Sequence, residues 1–349
     1  MTGKIFICGD SSQGALLDDV AATLLARGHK LVRGPDDTPG KVRSYSAAER
    51  AALMGEVDVA VFTVRHECSR AMMADAPKLR GVCYPVIGVE TLDLEAAAEL
   101  GIIVGHGAVR GNVVGMAEAN VMLMLMMLYD VTTNIVRMQA GEWRRPGHHG
   151  HQLEGKTVGL IGFGRIARAV TERLRPFNVR ILTYSPRANS EELPVGVEKV
   201  SLEVLLAHSD VVSVLTGLTP ETRNLLNGNR LGQMKPTAFL INTGRGAVVD
   251  EIALAQALRE KRIAGAAIDT FAVEPLPADS PLRGLHNAIL TPHCVGHTIE
   301  GEAEFVPAMV ENIERILRTE LPLHCKNPEV ETTWRARLAR LDADQQIAA

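Results

Sequence analysis

The sequence predicts an α/β fold built on parallel sheets, and three observations carry that prediction. Apolar runs of strand length alternate with amphipathic helical stretches along nearly the whole chain. A glycine-rich turn falls where one such run gives way to a helix, in "KTVGLIGFGRIARAV". Three polar residues of catalytic type, Arg245, Glu274 and His293, each follow a separate later strand.

In the first third of the chain, strands are expected near residues 4–8, 57–64, 82–87 and 102–104. Between them lie helical stretches such as "LLDDVAATLLARG" and "DLEAAAELG", the second stopped by Gly101. From about residue 113 the chain becomes apolar and rich in Met, with Glu118 and Asn120 followed by methionines at 122, 124, 126 and 127, which reads as a buried helix at a domain or subunit junction. A second α/β series starts after "GEWRRPGHHGHQLEGK", with strands at 157–161, 179–184, 210–215, 237–242, 264–269 and 287–291. Helices are expected at 164–175, 201–207 and 250–260, and the charged, Ala-rich end as a helical or frayed tail.

With 349 residues the chain can hold two domains, each with its own core. A net charge of −4 offers no basic face for nucleic acid. Five cysteines, Cys8, Cys68, Cys83, Cys294 and Cys325, never adopt CxxC spacing and suit reduced thiols. "MTGKIFICGD" is too short for a secretory core, and the apolar run "VMLMLMMLY" is about half a membrane span. The expectation is a cytoplasmic protein with neither a membrane nor a nucleic-acid partner. "HHGH" at 148–151 could in principle bind a metal, but it follows Arg144, Arg145 and Pro146 in a connecting stretch, and a solvated loop is expected, with no metal site.

The turn in "KTVGLIGFGRIARAV" places Gly162, Gly164 and Ala167 in G-x-G-x-x-A spacing. Gly162 permits the tight turn, Gly164 lets the backbone approach a pyrophosphate, and Ala167 lets helix and strand pack closely. The amides opening the helix would face the anion. Arg245, Glu274 and His293, if their strands are parallel, share the sheet edge that carries this loop, the edge where open α/β sheets bind ligands. The chemistry they suggest is hydride transfer to a carbonyl beside a carboxylate. Arg245 can fork two hydrogen bonds onto the carboxylate, His293 can exchange a proton with the carbonyl oxygen, and Glu274 can orient the imidazole.

The stretches "GVETLDLEAAAELGIIV", "LEGKTVGLIGFGRIARAV", "LTPETRNLLN", "INTGRGAVVDE", "AAIDTFAVEP" and "TPHCVGHT" follow one another over about residues 80–300. On them the chain resembles the D-isomer-specific 2-hydroxyacid dehydrogenases, the family of phosphoglycerate dehydrogenase and glyoxylate/hydroxypyruvate reductases. The resemblance implies two Rossmann-like, doubly wound parallel-sheet domains. A flavodoxin-like substrate domain would use residues 1–111 and 300–349, and a dinucleotide-binding domain residues 112–299. It implies interconversion of a 2-keto acid and a D-2-hydroxy acid, with Arg245, Glu274 and His293 as the catalytic set. Cofactor contacts would come from Gly162, Gly164, Arg165, Ile166, Ser185, Arg187, Thr216, Thr222 and Thr243, with Asp269 on the nicotinamide side. Substrate contacts would come from Val86, Ile87, Gly88, Arg245 and His293, and a homodimer through the segment after residue 110 is expected. The other reading of the same fold is a dinucleotide-binding sensor or regulatory protein.

Departures from the family pattern bear on substrate and cofactor. "CYPVIGVETLDL" puts Pro85, which has no N–H, and the bulky Tyr84 and Val86 in a turn that is usually small and glycine-containing. Leu215 and Gly217 stand where His and Pro are common, and His297 where a small residue is usual. In "ILTYSPRAN", Ser185 occupies the place of the acid that contacts the ribose hydroxyls, and Arg187 follows two residues on. A neutral hydroxyl removes the repulsion of a 2′-phosphate and Arg187 can pair with it, so NADP(H) is favoured over NAD(H).

Overall fold

The computed structural model describes residues 2–143, 146, 147 and 149–348, with side chains through residue 343. The chain forms two compact units, one joining Met1–Gly111 with Ile299–Ala349 and the other spanning Asn112–Thr298.

The first unit holds a five-stranded sheet of β1 (Lys4–Ile7), β2 (Lys30–Arg33), β3 (Val59–Val61), β4 (Gly81–Tyr84) and β5 (Ile103–His106). Its order is β2-β1-β3-β4-β5, parallel throughout, the flavodoxin-like arrangement with its switch point between β1 and β3. Strands β3, β4 and β5 are buried along their whole length, which is why none of them carries a Lys, Arg, Asp or Glu. The sequence gives no such run at β2, an edge strand with Lys30 and Arg33 exposed. The helix Ile299–Leu317 returns to this sheet and buries Met309, Val310, Ile313 and Ile316 in its core.

The tail is not frayed. Over Glu331–Ala348 it is a helix whose Trp334, Leu338 and Leu341 follow i, i+4, i+7 spacing and join the same core. Trp334 has no exposed surface, and its Nε1 donates to the Arg80 carbonyl at 2.7 Å.

The second unit holds seven parallel strands, β6 (Thr157–Ile161), β7 (Arg180–Tyr184), β8 (Val197–Lys199), β9 (Val211–Val214), β10 (Phe239–Asn242), β11 (Gly265–Ile268) and β12 (Ala288–Leu290). The order β12-β11-β10-β9-β6-β7-β8 reverses direction between β6 and β9. This is the dinucleotide-fold order with one added strand. Alternate residues serve opposite faces: Val212, Leu240 and Ala266 enter one core, and Val211, Ile241 and Ala267 the other. The edge strand β8 carries exposed Glu198 and Lys199 and has no apolar signal in the sequence.

The Met-rich segment is part of one 19-residue helix, Arg110–Leu128, longer than the apolar run suggested. Length and composition alone would let it cross a membrane, yet just over half of it, 56%, is buried inside the protein. Ala117, Leu123, Met124 and Leu128 pack in one core with Val158, Leu160 and Ile241. Of the "HHGH" histidines, His148 lies outside the described residues, while His149 and His151 are exposed.

Candidate active site

Because β6 to β12 are parallel, the residues leaving their carboxyl ends share one edge. Gly162 follows β6, Ser185 follows β7, Thr216 lies beyond β9, Thr243 to Arg245 leave β10, Asp269 to Glu274 leave β11, and His293 lies beyond β12.

At the glycine turn, Gly162 has φ +94°, and a Cβ there would sit 3.1 Å from the Leu215 carbonyl, so only glycine fits without strain. Nothing lies within 4 Å of where a Cβ on Gly164 would be. Gly164 precedes the helix Arg165–Leu174, which has no side-chain cap on its first amides. Ala167 is 1% exposed against the sheet. An open approach, uncapped helix amides and a tight turn fit a pyrophosphate. Arg165 is exposed and Ile166 half-buried at the helix start. Ser185 is half-buried after β7, and Arg187 is exposed two residues later. The Thr222 hydroxyl is taken up in its own turn, donating to the Gly217 carbonyl at 2.8 Å and accepting from the Thr219 amide at 2.7 Å.

The catalytic candidates converge. The His293 Nδ1 lies 2.8 and 3.0 Å from the two Glu274 carboxylate oxygens. Burial pushes the Glu274 carboxyl up, but the His293 hydrogen bond and charge, the Phe271 amide and the Arg245 charge outweigh it and hold it below the usual range. Arg245 thus acts electrostatically on the carboxylate that grips His293. Nearby, burial pushes the Glu251 carboxyl up, the Ala272 amide opposes this, and the Glu274 charge adds to it.

Three further groups shape this constellation. His293 itself has φ +53°, in the left-handed region, at a cost of about 1–3 kcal/mol for a residue other than glycine. Asp269, 1% exposed, offsets this by gathering the turn: one of its oxygens accepts from the Thr291 hydroxyl at 2.7 Å and from the Cys294 and Val295 amides at 3.1 and 3.2 Å. Gly246 brings the Arg245 turn against the loop that leaves β11, since a Cβ there would fall 1.9 Å from the Phe271 carbonyl carbon. Asn242 ties the same turn, accepting from the Gly244 amide at 3.1 Å and donating to the Arg245 carbonyl at 3.2 Å. Sequence reasoning missed Asn242, Gly246 and Glu251; no motif of one or two residues announces them, because Asn242 acts only through the fold of its own turn and Gly246 and Glu251 act through Phe271 and Ala272 in the loop after β11.

In the first unit, Val86, Ile87 and Gly88 leave the carboxyl end of β4, with Val86 and Ile87 half-buried and Gly88 buried. The turn is held by the Gly107 amide, which donates to the Val86 carbonyl at 3.1 Å. Tyr84, the bulky residue of the altered turn, faces away from solvent with no exposed surface.

The second unit therefore has the order, switch point and glycine turn of a dinucleotide-binding sheet, with a cluster of charged side chains at the same edge. Residues 121–295 match the family described as "D-isomer specific 2-hydroxyacid dehydrogenase, NAD binding domain". A glyoxylate reductase of Thermofilum pendens is 39% identical over 267 residues, covering 74% of this chain and 78% of the relative. An (S)-sulfolactate dehydrogenase of Chromohalobacter salexigens is 36% identical over 274 residues, covering 77% and 88%. The crystal structure of a glyoxylate reductase from Paecilomyes thermophila superposes with a TM-score of 0.79 at 26% identity, covering 94% of this chain and 99% of that one. The chain belongs to the D-isomer specific 2-hydroxyacid dehydrogenase family.

Proposed function

We propose that the protein reduces a small 2-keto acid to the D-2-hydroxy acid, and runs the reverse oxidation, with Arg245, Glu274 and His293 as its catalytic set. The observation that carries this reading is the grip of both Glu274 oxygens on the His293 Nδ1, with the Arg245 charge acting on the same carboxylate.

Arg245 binds the substrate carboxylate through its planar fork and so orients the adjoining carbonyl. Glu274 fixes Nδ1 of the imidazole as the nitrogen that faces it, leaving Nε2 to exchange the reacting proton. In reduction His293 donates that proton to the carbonyl oxygen, and in oxidation it takes the hydroxyl proton back. The negative charge of Glu274 compensates the imidazolium between these events. The dinucleotide, when bound, supplies or accepts the hydride. Gly162, Gly164 and the amides at Arg165 and Ile166 hold its pyrophosphate, Thr216, Thr222 and Thr243 line its path, and Asp269 faces the nicotinamide. For Val86, Ile87 and Gly88 the resemblance supports a share in holding the substrate carboxylate, with Pro85 contributing no donor.

Cofactor choice follows from the edge of β7. Ser185 offers a neutral hydroxyl where an acid would repel a 2′-phosphate, and Arg187 is exposed beside it. The Thr219 hydroxyl and the residue's own amide hold the exposed Glu221 carboxyl below its usual range against the opposing effect of desolvation, with the Arg187 charge adding the smallest share. NADP(H) over NAD(H) is the preference this supports. The test is absorbance at 340 nm with glyoxylate, hydroxypyruvate, phenylpyruvate and phosphohydroxypyruvate, each with NADPH and NADH. We expect turnover of at least one keto acid with NADPH ahead, and a shift toward NADH in Ser185→Asp. An unchanged cofactor ratio in that variant would sink the preference. Tight dinucleotide binding without turnover of any substrate would favour the sensor reading.

A homodimer is part of the same proposal. Met122, Tyr129, Ile135, Val136, Met138 and Trp143 are exposed between 44% and 76% on one continuous segment. A second copy covering that segment accounts for so much apolar surface. Sedimentation equilibrium should give twice the chain mass, and substitution of Val136 and Met138 by Glu should halve it. A monomer before substitution refutes the dimer.

A further inference from the structure

The helix Arg110–Leu128 carries one fully buried polar side chain whose bonds reach the proposed chemistry. Asn120 has no exposed surface. Its Nδ2 donates to the Met116 carbonyl at 2.8 Å and to the Thr243 hydroxyl oxygen at 3.0 Å, and its Oδ1 accepts from the Ser213 hydroxyl at 2.7 Å. The Met116 carbonyl can only accept, so the amide orientation is settled: the NH2 side faces Met116 and Thr243. A leucine or methionine here would bury without polar debt, as its neighbours do. A buried amide is tolerated where its polar atoms are paired, and here both Nδ2 protons and the Oδ1 oxygen have partners.

Thr243, 7% exposed, opens the turn Thr243–Gly244–Arg245 at the end of β10. Asn242 ties that turn locally, binding Gly244 and Arg245, and Gly246 abuts Phe271 beyond β11. Asn120 adds a tie from the helix Arg110–Leu128. One helical turn earlier the same helix meets the His293 turn. A Cβ on Gly115 would fall 2.6 Å from the Gly296 carbonyl oxygen, and one on Gly296 would fall 2.0 Å from the Met116 sulfur. Residues 115–120 therefore brace the two turns that carry Arg245 and His293.

We infer that Asn120 is a positioning residue: through the Thr243 hydroxyl it holds the Arg245 turn in register with the His293 turn. The role in reduction rests on the function proposed above; the link from Asn120 to the turn does not. Ser213 fixes the amide from its carbonyl side, so its hydroxyl belongs to the same device.

The test pairs amide hydrogen exchange with kinetics in Asn120→Val, Thr243→Val, the double variant and the milder Ser213→Ala. In Asn120→Val, exchange at residues 244–247 should rise about tenfold, the loss of roughly one buried hydrogen bond, while the amides of β6 and β9 keep their protection. The KM for the keto acid should rise about tenfold, with dinucleotide Kd and the pH profile of kcat moving less than twofold. The double variant should be no worse in keto-acid KM than the poorer single one, because both remove the same bond. If Asn120→Val fails to fold, Ser213→Ala should show the same local pattern at smaller size. Unchanged exchange at 244–247 overturns the inference, as does an additive double variant or a uniform loss of protection across the sheet. Raised exchange with an unaltered KM in an active enzyme also overturns it. Should the parent protein reduce no keto acid, the proposed reaction fails, while the exchange result still decides the Asn120 link.

Discussion

His293→Ala lowers kcat for keto-acid reduction by about 100- to 10,000-fold, the range that a positioned general acid supplies. With Glu274 at 2.8 Å on its Nδ1, the imidazole keeps Nε2 for the reacting proton. Dinucleotide affinity stays within a few-fold, because the glycine turn and helix amides are untouched. A stopped-flow measurement of kcat beside a fluorescence titration of NADPH separates the two, and a His293→Ala enzyme that keeps full kcat refutes the role. Glu274→Gln provides the pH arm. The Glu274 carboxyl lies below the usual carboxylate range in the fold, so it is ionised through neutrality. Its contribution to stability is fully present above the unfolded value of about 4.3 and is lost as pH falls through the lower folded value. Melting curves should therefore show a gap between parent and Glu274→Gln at pH 7 that closes toward pH 3. A gap that widens in acid reverses the sign and rules out the ion pair as its source.

Arg245→Ala comes second in size. Truncating one partner of a desolvated, hydrogen-bonded charge pair costs about 2–5 kcal/mol, or roughly 30- to 5,000-fold in kcat/KM. The loss falls mainly on keto-acid KM if the guanidinium binds ground and transition states alike. It falls on kcat as well if orientation of the carbonyl is its larger effect. Arg245→Lys keeps a charge but replaces the planar fork with a point donor, and should be intermediate. Steady-state kinetics at saturating NADPH reads this directly. A fall in dinucleotide affinity with unaltered keto-acid KM would move Arg245 from the substrate to the cofactor.

Much of this site was legible because its motifs are local. A strand, a G-x-G-x-x-A turn and a helix occupy consecutive residues, so Gly162, Gly164 and Ala167 could be placed from spacing alone. Arg245, Glu274 and His293 could be assigned to one edge because parallel strands all end on the same side. The strands β3 and β4 were legible for a related reason, being buried along their whole length and therefore free of charged residues. The edge strands β2 and β8 were not, because one side of each meets water and their charges break the run. The tail helix needed its packing partner: Trp334 is an isolated aromatic in a charged stretch until the Arg80 carbonyl and the first core receive it.

By itself the sequence determined the α/β class, the glycine turn and the residue types of the candidate catalytic cluster, since those depend on periodicity and on side-chain chemistry. Only the tertiary structure decided which groups touch. It placed both Glu274 oxygens on one imidazole nitrogen, gave the Asp269 carboxylate to the His293 turn, and committed the Thr222 hydroxyl to its own loop. It also gave Asn120, a polar residue in a methionine-rich run, two partners 93 and 123 residues away. Hydrogen bonds depend on tenths of an ångström and on direction, and residues that far apart acquire either only when the sheet brings their strands together.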